Sequence, residues 1–270
     1  MRILWAFLKR DLAIAFSYRF QAFFQVASMF SLAVTFFFLS LMLRRVEGSI
    51  DALGKYGGSY FAFVLIGLAT SMYVDASLRS FAQSIRSAQM TGTFEAMLTT
   101  QTPVGVIVAG SALYTLGSTG LRSIILMAFG VFVFGIHVHA SAAPTVVAVL
   151  VLTVASTLAL GIFSAGFIVL FKQGDPLTNA ISGLSWLLSG VLYPKEILPR
   201  WVQELAGYLP LTHALEALRL TLLKGASASD VSRGITGLAT FAALGLPALS
   251  LIHISEPTRL RRISYAVFCL

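Results

Sequence analysis

The sequence predicts an all-α integral membrane protein with six transmembrane helices. Of its 270 residues, 57% are hydrophobic and 11% are charged, whereas a soluble domain carries about 25% charged residues. The hydrophobic residues form uncharged runs long enough to cross a hydrocarbon core of ~30 Å. Because lipid offers no partners to backbone N–H and C=O groups, only helices or closed barrels can cross it, and runs of this length favour helices over strands of ~10 residues.

Uncharged runs place five of the six spans directly. These spans cover 20–43, 59–74, 144–171, 176–192 and 235–252. Asp75 is predicted to close the second span as a helix-terminal charge, although an intramembrane carboxylate could also relay protons. Residues 1–19 mix aromatic and basic side chains and predict an N-terminal interfacial helix. Residues 200–222 are amphipathic and predict a re-entrant or interfacial helical segment before the last span.

The remaining span lies within 104–138, where two interpretations are open. A single helix of that length exceeds the bilayer at ~1.5 Å per residue. One interpretation is a single span preceded by an interfacial helix. The other is a pair of short spans that turn at Gly117, Ser118, Thr119 and Gly120, which would invert every later loop. Hydrophobic periodicity does not decide between them.

The net charge of +8, from 19 basic and 11 acidic residues, fits basic side chains that flank spans and face membrane lipids. The sequence lacks a basic stripe interleaved with aromatic residues, which would indicate binding to nucleic acid. The charge balance between the two membrane sides is even. The four basic residues before the first span favour a cytoplasmic N-terminus. With one cysteine, Cys269, the sequence offers no internal disulfide and no CxxC motif, and we expect no metal site.

The last residues stand apart from the rest. The run SLIHISEPTRLRRISYAVFCL at 250–270 resembles translated sequencing-adapter sequence. We therefore expect one transmembrane domain over 1–252 and a non-native tail over 253–270.

The sequence has no catalytic or nucleotide-binding motif. The nearest approach to a phosphate-binding loop is Gly54-Lys55-Tyr56, in which Tyr56 replaces the Ser or Thr that would reach magnesium. We expect this chain to bind no cofactor. The polar segment 90–103, which lies between two apolar blocks and carries Glu95, is predicted to act outside the lipid as a docking element for a soluble partner.

Two groups of residues resemble the permease subunit of ABC-2 type exporters. The first is TGTFEAMLTT at 91–100, followed by Pro103. The second comprises LSGVLYP at 188–194, LPRW at 198–201 and LPLTHALEALR at 209–219. The resemblance covers about residues 1–250 and favours one span with an interfacial segment over 104–138.

The resemblance implies a function and the residues that serve it. The chain would be a multi-pass permease in a bacterial or archaeal cell membrane, with its N-terminus in the cytoplasm. It would act as a homodimer or with a sister permease, and a separate ABC ATPase would supply the ATP and magnesium chemistry. The residues implied to couple to that ATPase are Thr91, Gly92, Thr93, Phe94 and Glu95. The implied external re-entrant region contains Pro194, Pro199, Pro210, Glu216 and Arg219, in which Glu216 and Arg219 could pair.

Two other classes of function are open. An ATP-independent carrier driven by protons or sodium should show intramembrane carboxylates, and Asp75, Asp175 and Glu196 are all predicted at span ends. An intramembrane enzyme should show paired polar catalytic residues at one depth, and the sequence shows none.

Overall fold

The computed structural model describes residues 2–43, 51–90, 92, 104–171 and 176–245. Within these ranges the chain is helical and has no β-strand, so the all-α fold class is confirmed. The helices are α1 (Arg2–Ser17), α2 (Arg19–Leu43), α3 (Tyr60–Met90), α4 (Val104–Phe134), α5 (Ala143–Phe171), α6 (Pro176–Leu188), α7 (Arg200–Ala206), α8 (Pro210–Lys224) and α9 (232–245). Short 3₁₀ turns lie at Asp51–Tyr56, Ala140–Ala142 and Lys195–Ile197.

Four helices in the described ranges are long and apolar enough to cross a membrane. They are the segments Arg19–Leu43, Tyr60–Ser80, Ala112–Phe134 and Ala143–Gly161. Helix α6 has 13 residues, and α9 is described only to residue 245. At ~1.5 Å per residue each of these two is shorter than a ~30 Å core. The count of six spans therefore stays a prediction.

Helix α3 forms the centre of the bundle. In its most apolar stretch 78% of the residues are buried, against 17% in the corresponding stretches of α2 and α4. It packs mainly against α4 and α5, and it also contacts α8. On the α2 and α4 side, the rings of Phe37, Phe61 and Phe134 contact one another with centroids 4.3 to 5.4 Å apart. Such aromatic contacts stabilise a pair beyond the area that it buries.

The helix that contains the second predicted span is longer than the sequence indicated. The sequence places its end at Asp75, but α3 continues without a break to Met90. Asp75 is therefore an interior helix residue inside the membrane-length segment Tyr60–Ser80, and its assignment as a helix-terminal charge is wrong. The helix can continue because Arg79, one turn later, donates from Nε to Asp75 Oδ1 at 2.8 Å and neutralises the carboxylate.

The two-span interpretation of 104–138 is also wrong. Helix α4 runs without a break from Val104 to Phe134, so the small residues at 117–120 do not form a turn. The hydroxyl of Ser118 donates a hydrogen bond to the carbonyl of Thr115 at 3.1 Å, so this polar side chain has a partner within the helix. The membrane-length part of α4 is Ala112–Phe134, so one crossing remains in this region.

Helices α1, α7 and α8 are shorter than a membrane span. Helix α1 packs against α4 and leaves Trp5 and Phe16 exposed. The predicted amphipathic segment 200–222 forms two helices, α7 and α8, separated at 207–209. Their placement at a membrane surface stays a prediction.

The connections before α3, after α4 and after α6 meet at the end of the bundle that carries α7 and α8, which we call the α8 end. Lys55, in the first 3₁₀ turn, reaches Glu216 of α8. The backbone N–H of His139, after α4, donates to the carbonyl of Leu222 at 3.0 Å. Helix α3 begins at this end and runs away from it towards Met90.

Candidate functional site

The predicted coupling segment follows the far end of α3. Thr91, Thr93, Phe94 and Glu95 lie outside the described residues. Gly92 is described, with a φ of 67°. This left-handed conformation, which glycine adopts without a steric penalty, is common just after the last turn of a helix. Gly92 lies two residues after Met90, the last residue of α3, and within the segment that the sequence predicts to dock a partner.

The three prolines of the second group each lie at the start of a helical segment. Pro194 and Pro199 are the residues that precede the 3₁₀ turn Lys195–Ile197 and α7. Pro210 is the first residue of α8. Proline lacks a backbone N–H, and the first turn of a helix leaves that group unpaired in any case. These prolines therefore divide residues 189–224 into short helices that turn over the α8 end.

Glu216 is held between two lysines at the α8 end. One carboxylate oxygen accepts from Lys55 Nζ and the other from Lys195 Nζ, each at 2.6 Å. Lys55 also lies 3.3 Å from Glu196. These contacts join the 3₁₀ turn before α3, the turn before α7 and helix α8 in one charged cluster.

The cluster fixes the charge of Glu216. Partial burial by itself would raise the pKa of this carboxyl, but the hydrogen bonds and positive charge of Lys195 and Lys55 outweigh burial and lower the pKa to about 2. Burial likewise disfavours the charged form of Lys55, and its bond to Glu216 reverses this and raises the pKa of the amine. Both groups are therefore ionised at neutral pH.

Arg219 occupies a different, buried position. Its guanidinium donates to three backbone carbonyls: Nε to Phe63 at 3.2 Å, Nη1 to Gly190 at 3.0 Å and Nη2 to Val191 at 2.7 Å. It also lies over the ring of Phe63, 3.4 Å from the centroid, in a cation–π arrangement. The predicted pairing of Glu216 with Arg219 is wrong. Glu216 bonds instead to Lys55 and Lys195, and Arg219 bonds to the three backbone carbonyls.

The environment of Arg219 explains that arrangement. Only 3% of the residue is exposed, and burial lowers the pKa of the guanidinium to about 9, so it is a cation at neutral pH. A buried cation needs its donors satisfied, and the planar fork of arginine suits several carbonyls at once. Arg219 thereby fastens the first turn of α3 and the turn after α6 to α8.

One polar site was not predicted from the sequence. A cavity of about 410 Å³ lies between α3 and α6, with Asp75, Arg79 and Trp186 among its walls. The hydroxyl of Ser182 donates to Asp75 Oδ1, and Arg79 Nη1 donates to Asn179 Oδ1. The sequence feature that could have predicted this site is the four-residue spacing of Asp75 and Arg79. In a helix that continues past Asp75, this spacing brings the two side chains together.

Among the described residues, no group of three or more His, Cys, Asp and Glu side chains could hold a metal ion. Lys55, in the sequence closest to a phosphate-binding loop, is occupied by Glu216 and Glu196. The features that remain are a bundle with membrane-length helices, a charged cluster at the α8 end and a polar cavity.

Comparison with known proteins agrees with these features. Residues 2–223 match the family model described as "ABC-2 type transporter". The chain is also similar to Nodulation protein J of Rhizobium leguminosarum bv. viciae, with 27% identity over 191 residues that cover 68% of each chain. The family match runs from the start of α1 to the last turn of α8 and spans far more than half of the sequence. The multi-pass membrane protein described above therefore belongs to the ABC-2 type transporter family.

Proposed function

We propose that this chain is the transmembrane permease subunit of an ATP-driven exporter and that separate ABC ATPase subunits hydrolyse the ATP. Members of the ABC-2 family are transport subunits whose ATPase activity resides in partner proteins. The observation that carries the mechanism is the continuity of α3. This one helix extends from the α8 end to Met90, directly before the predicted coupling segment.

The coupling step follows from the chemistry of that segment. Phe94 and Met97 provide an apolar face for a groove on the ATPase, and Glu95 meets a basic side chain at its edge. Movement of the ATPase on binding ATP then displaces the coupling segment. Helix α3, about 46 Å long from its 31 residues at ~1.5 Å each, carries this displacement along the bundle.

The proposed topology has six crossings, in α2, α3, α4, α5, α6 and α9, and a cytoplasmic N-terminus. Helix α1 then lies in the cytoplasmic interface, and α7 and α8 form the external re-entrant region. The exposed Trp201 and Tyr208 are the residue types that favour headgroup depth. The permease acts as a dimer in a bacterial or archaeal cell membrane and forms the substrate path with its partner. ATP and magnesium bind to the ATPase.

The strongest competing function is an ATP-independent carrier. Asp75 lies inside a membrane-length segment, which is the feature expected of an ion-driven carrier. Its bond to Arg79 at 2.8 Å, however, supplies a fixed positive partner, whereas a proton relay needs a carboxylate that gains and loses its proton. Together with the family assignment, this contact favours the ATP-driven permease.

Co-purification of the tagged chain with an ATPase subunit from its native membranes tests the proposal. The tagged wild-type chain should retain the ATPase in a stoichiometric ratio. Glu95→Arg should lose it, because the proposed contact becomes a like-charge contact. Glu204→Arg, on an exposed side chain of α7, is the matched control and should retain it. Absence of an ATPase from the wild-type complex would favour the carrier, and full transport by Glu95→Arg would refute the coupling role.

A further inference from the structure

The cavity between α3 and α6 has the size and composition of a ligand site. Its volume of about 410 Å³ lies in the range of ~300–1,000 Å³ typical of small-molecule pockets. Its lining includes the apolar side chains of Met72, Trp186 and Leu211 and the charged side chains of Asp75 and Arg79. Ionisable side chains inside a membrane-length helix are costly and mark functional sites by default.

The two charged side chains leave hydrogen-bonding capacity facing the cavity. Asp75 Oδ1 accepts from Arg79 Nε and from the Ser182 hydroxyl, while Arg79 Nη1 donates to Asn179. Among the described residues, Asp75 Oδ2 and Arg79 Nη2 have no partner. The side chains are 43% and 28% exposed, respectively. The pair therefore retains an acceptor on Asp75 and a donor on Arg79, both of which are residues of the cavity lining.

The charge balance of the pair determines which ligand group it suits. An ionic headgroup would meet opposite charges at similar distances, so attraction and repulsion would largely cancel, and its lost hydration would not be recovered. A hydroxyl or an amide donates and accepts at once. Such a group can donate to Asp75 Oδ2 and accept from Arg79 Nη2 without bringing a charge into the cavity.

We infer that this cavity binds the uncharged, hydroxyl- or amide-bearing head of an amphipathic substrate, whose apolar part lies against Trp186. The inference rests on the proposed permease function and adds the chemical class of the substrate. Because the hydrogen bonds from Arg79 to Asn179 and from Ser182 to Asp75 both connect α3 to α6, a molecule bound here contacts both helices.

Trp186 gives a direct optical readout. The chain has three tryptophans, so Trp5→Phe with Trp201→Phe leaves Trp186 alone in the cavity wall. The full-length variant, in lipid nanodiscs, is titrated with octyl glucoside, octyl sulfate and octyltrimethylammonium chloride, which share one alkyl chain. A second protein with Trp5→Phe and Trp186→Phe retains Trp201, which is exposed and lies outside the cavity, and reports simple partition into the lipid.

The glucoside should change Trp186 fluorescence saturably, at a concentration about tenfold or more below that of either ionic probe. The fluorescence of Trp201 should respond to the three probes in the order of their partition into the lipid. The same ranking at Trp186 and Trp201, or no saturation at Trp186, would overturn the inference.

Removing one charge should change the preferred headgroup. Asp75→Asn leaves the charge of Arg79 unopposed and should make octyl sulfate the tightest probe at Trp186. Arg79→Gln leaves Asp75 and should favour octyltrimethylammonium. Ser182→Ala removes a hydrogen bond but no charge and should keep the wild-type order. If all of these variants kept the same order of probe affinities, the role of Asp75 and Arg79 in choosing the headgroup would be refuted.

Size-exclusion elution identifies variants that do not fold. If a charge variant does not fold, the inference is judged from the order of probe affinities at Trp186 with Asp75 and Arg79 unchanged. The titration contains no ATPase. Its failure would therefore remove the substrate class and leave the permease function standing, whereas a failed co-purification would remove ATP coupling and leave the binding site.

Discussion

Arg219 shows how one side chain can hold several backbone segments in a region that has little regular hydrogen bonding. The turn after α6 leaves the carbonyls of Gly190 and Val191 without helical partners, and the guanidinium donates to both of them and to the carbonyl of Phe63 at the start of α3. Unpaired buried carbonyls cost free energy comparable to a lost hydrogen bond. Arg219 is therefore a stability determinant of the α8 end.

Arg219→Met should lower the unfolding midpoint by roughly 5 to 10 °C, because three carbonyls lose their donor and the side chain of methionine supplies none. Arg219→Lys should recover only part of this loss, since an ammonium cannot reproduce the planar fork. Thermal unfolding in detergent, followed by tryptophan fluorescence, measures the shift. Arg233→Met, at an exposed residue, is the control, and equal midpoints for Arg219→Met and this control would contradict the assignment.

Glu216 should make the stability of the α8 end depend on pH. Its pKa falls from 4.5 to about 2 in the folded protein, so the folded state favours the ionised form. A lowered carboxyl pKa contributes stability that is complete above the unfolded value and is lost as the pH falls towards the folded value. Wild type should therefore exceed Glu216→Gln in unfolding midpoint at pH 7, and the difference should shrink below about pH 4.5 and vanish near pH 2.

The control for this pH dependence is Glu204→Gln, at an exposed carboxylate, which should follow wild type over the same range. Midpoints are measured from pH 3 to pH 7 in one detergent. A difference between wild type and Glu216→Gln that stays constant over this range would show that the lysine contacts do not lower the pKa.

At the level of helices, the contact of α3 with α5 depends on a small residue. A Cβ added to Gly161 would lie 2.7 Å from the carbonyl oxygen of Leu78 and 3.0 Å from that of Ser77. Nearby, the hydroxyls of Ser77 and Thr157 bond to each other across the two helices. Small residues and interhelical hydroxyl bonds are the means by which helices associate in lipid, where apolar surface alone gives no preference for protein over lipid.

Gly161→Ala should therefore separate α3 from α5 and lower the unfolding midpoint by roughly 3 to 8 °C. The neighbours that the new methyl group meets are backbone atoms, so a rotamer change cannot relieve the contact. Gly117→Ala is the matched control: it lies inside α4 with open space around its Cβ position, and alanine favours helix more than glycine does. Its midpoint should stay the same or rise, and an equal fall for both variants would contradict the packing argument.

The sequence predicted the apolar helices better than their ends. Long uncharged runs located α2 and α5 because the hydrophobic requirement of a bilayer is strong and local, whereas the sequence left open whether 104–138 forms one span or two. The end of α3 was missed because Asp75 was treated as a single charge, whereas Arg79 one turn later neutralises it. The partners of Arg219 were missed because Phe63, Gly190 and Val191 are distant in sequence, and no periodicity encodes a contact of that kind.

At the level of the whole molecule, α3 connects the features that matter for transport. The charged cluster and the Arg219 contacts lie at its beginning, the polar cavity lies along it, and the predicted coupling segment follows its end. The helix is about 46 Å long against a ~30 Å core. We therefore expect its last turns, after the membrane-length part that ends at Ser80, to project beyond the lipid.

The proposed orientation assigns those last turns to the cytoplasm and the α8 end to the outside. Single cysteines test this in intact cells, in a background that carries Cys269→Ser and so has no other thiol. Ala228→Cys, in the exposed loop after α8, should react with a membrane-impermeant maleimide. Gln83→Cys, on an exposed position of the α3 extension, should react only after the membrane is permeabilised, because the bilayer separates it from the reagent. The opposite pattern would invert the topology and place the predicted coupling segment on the outside, where no ATPase could reach it.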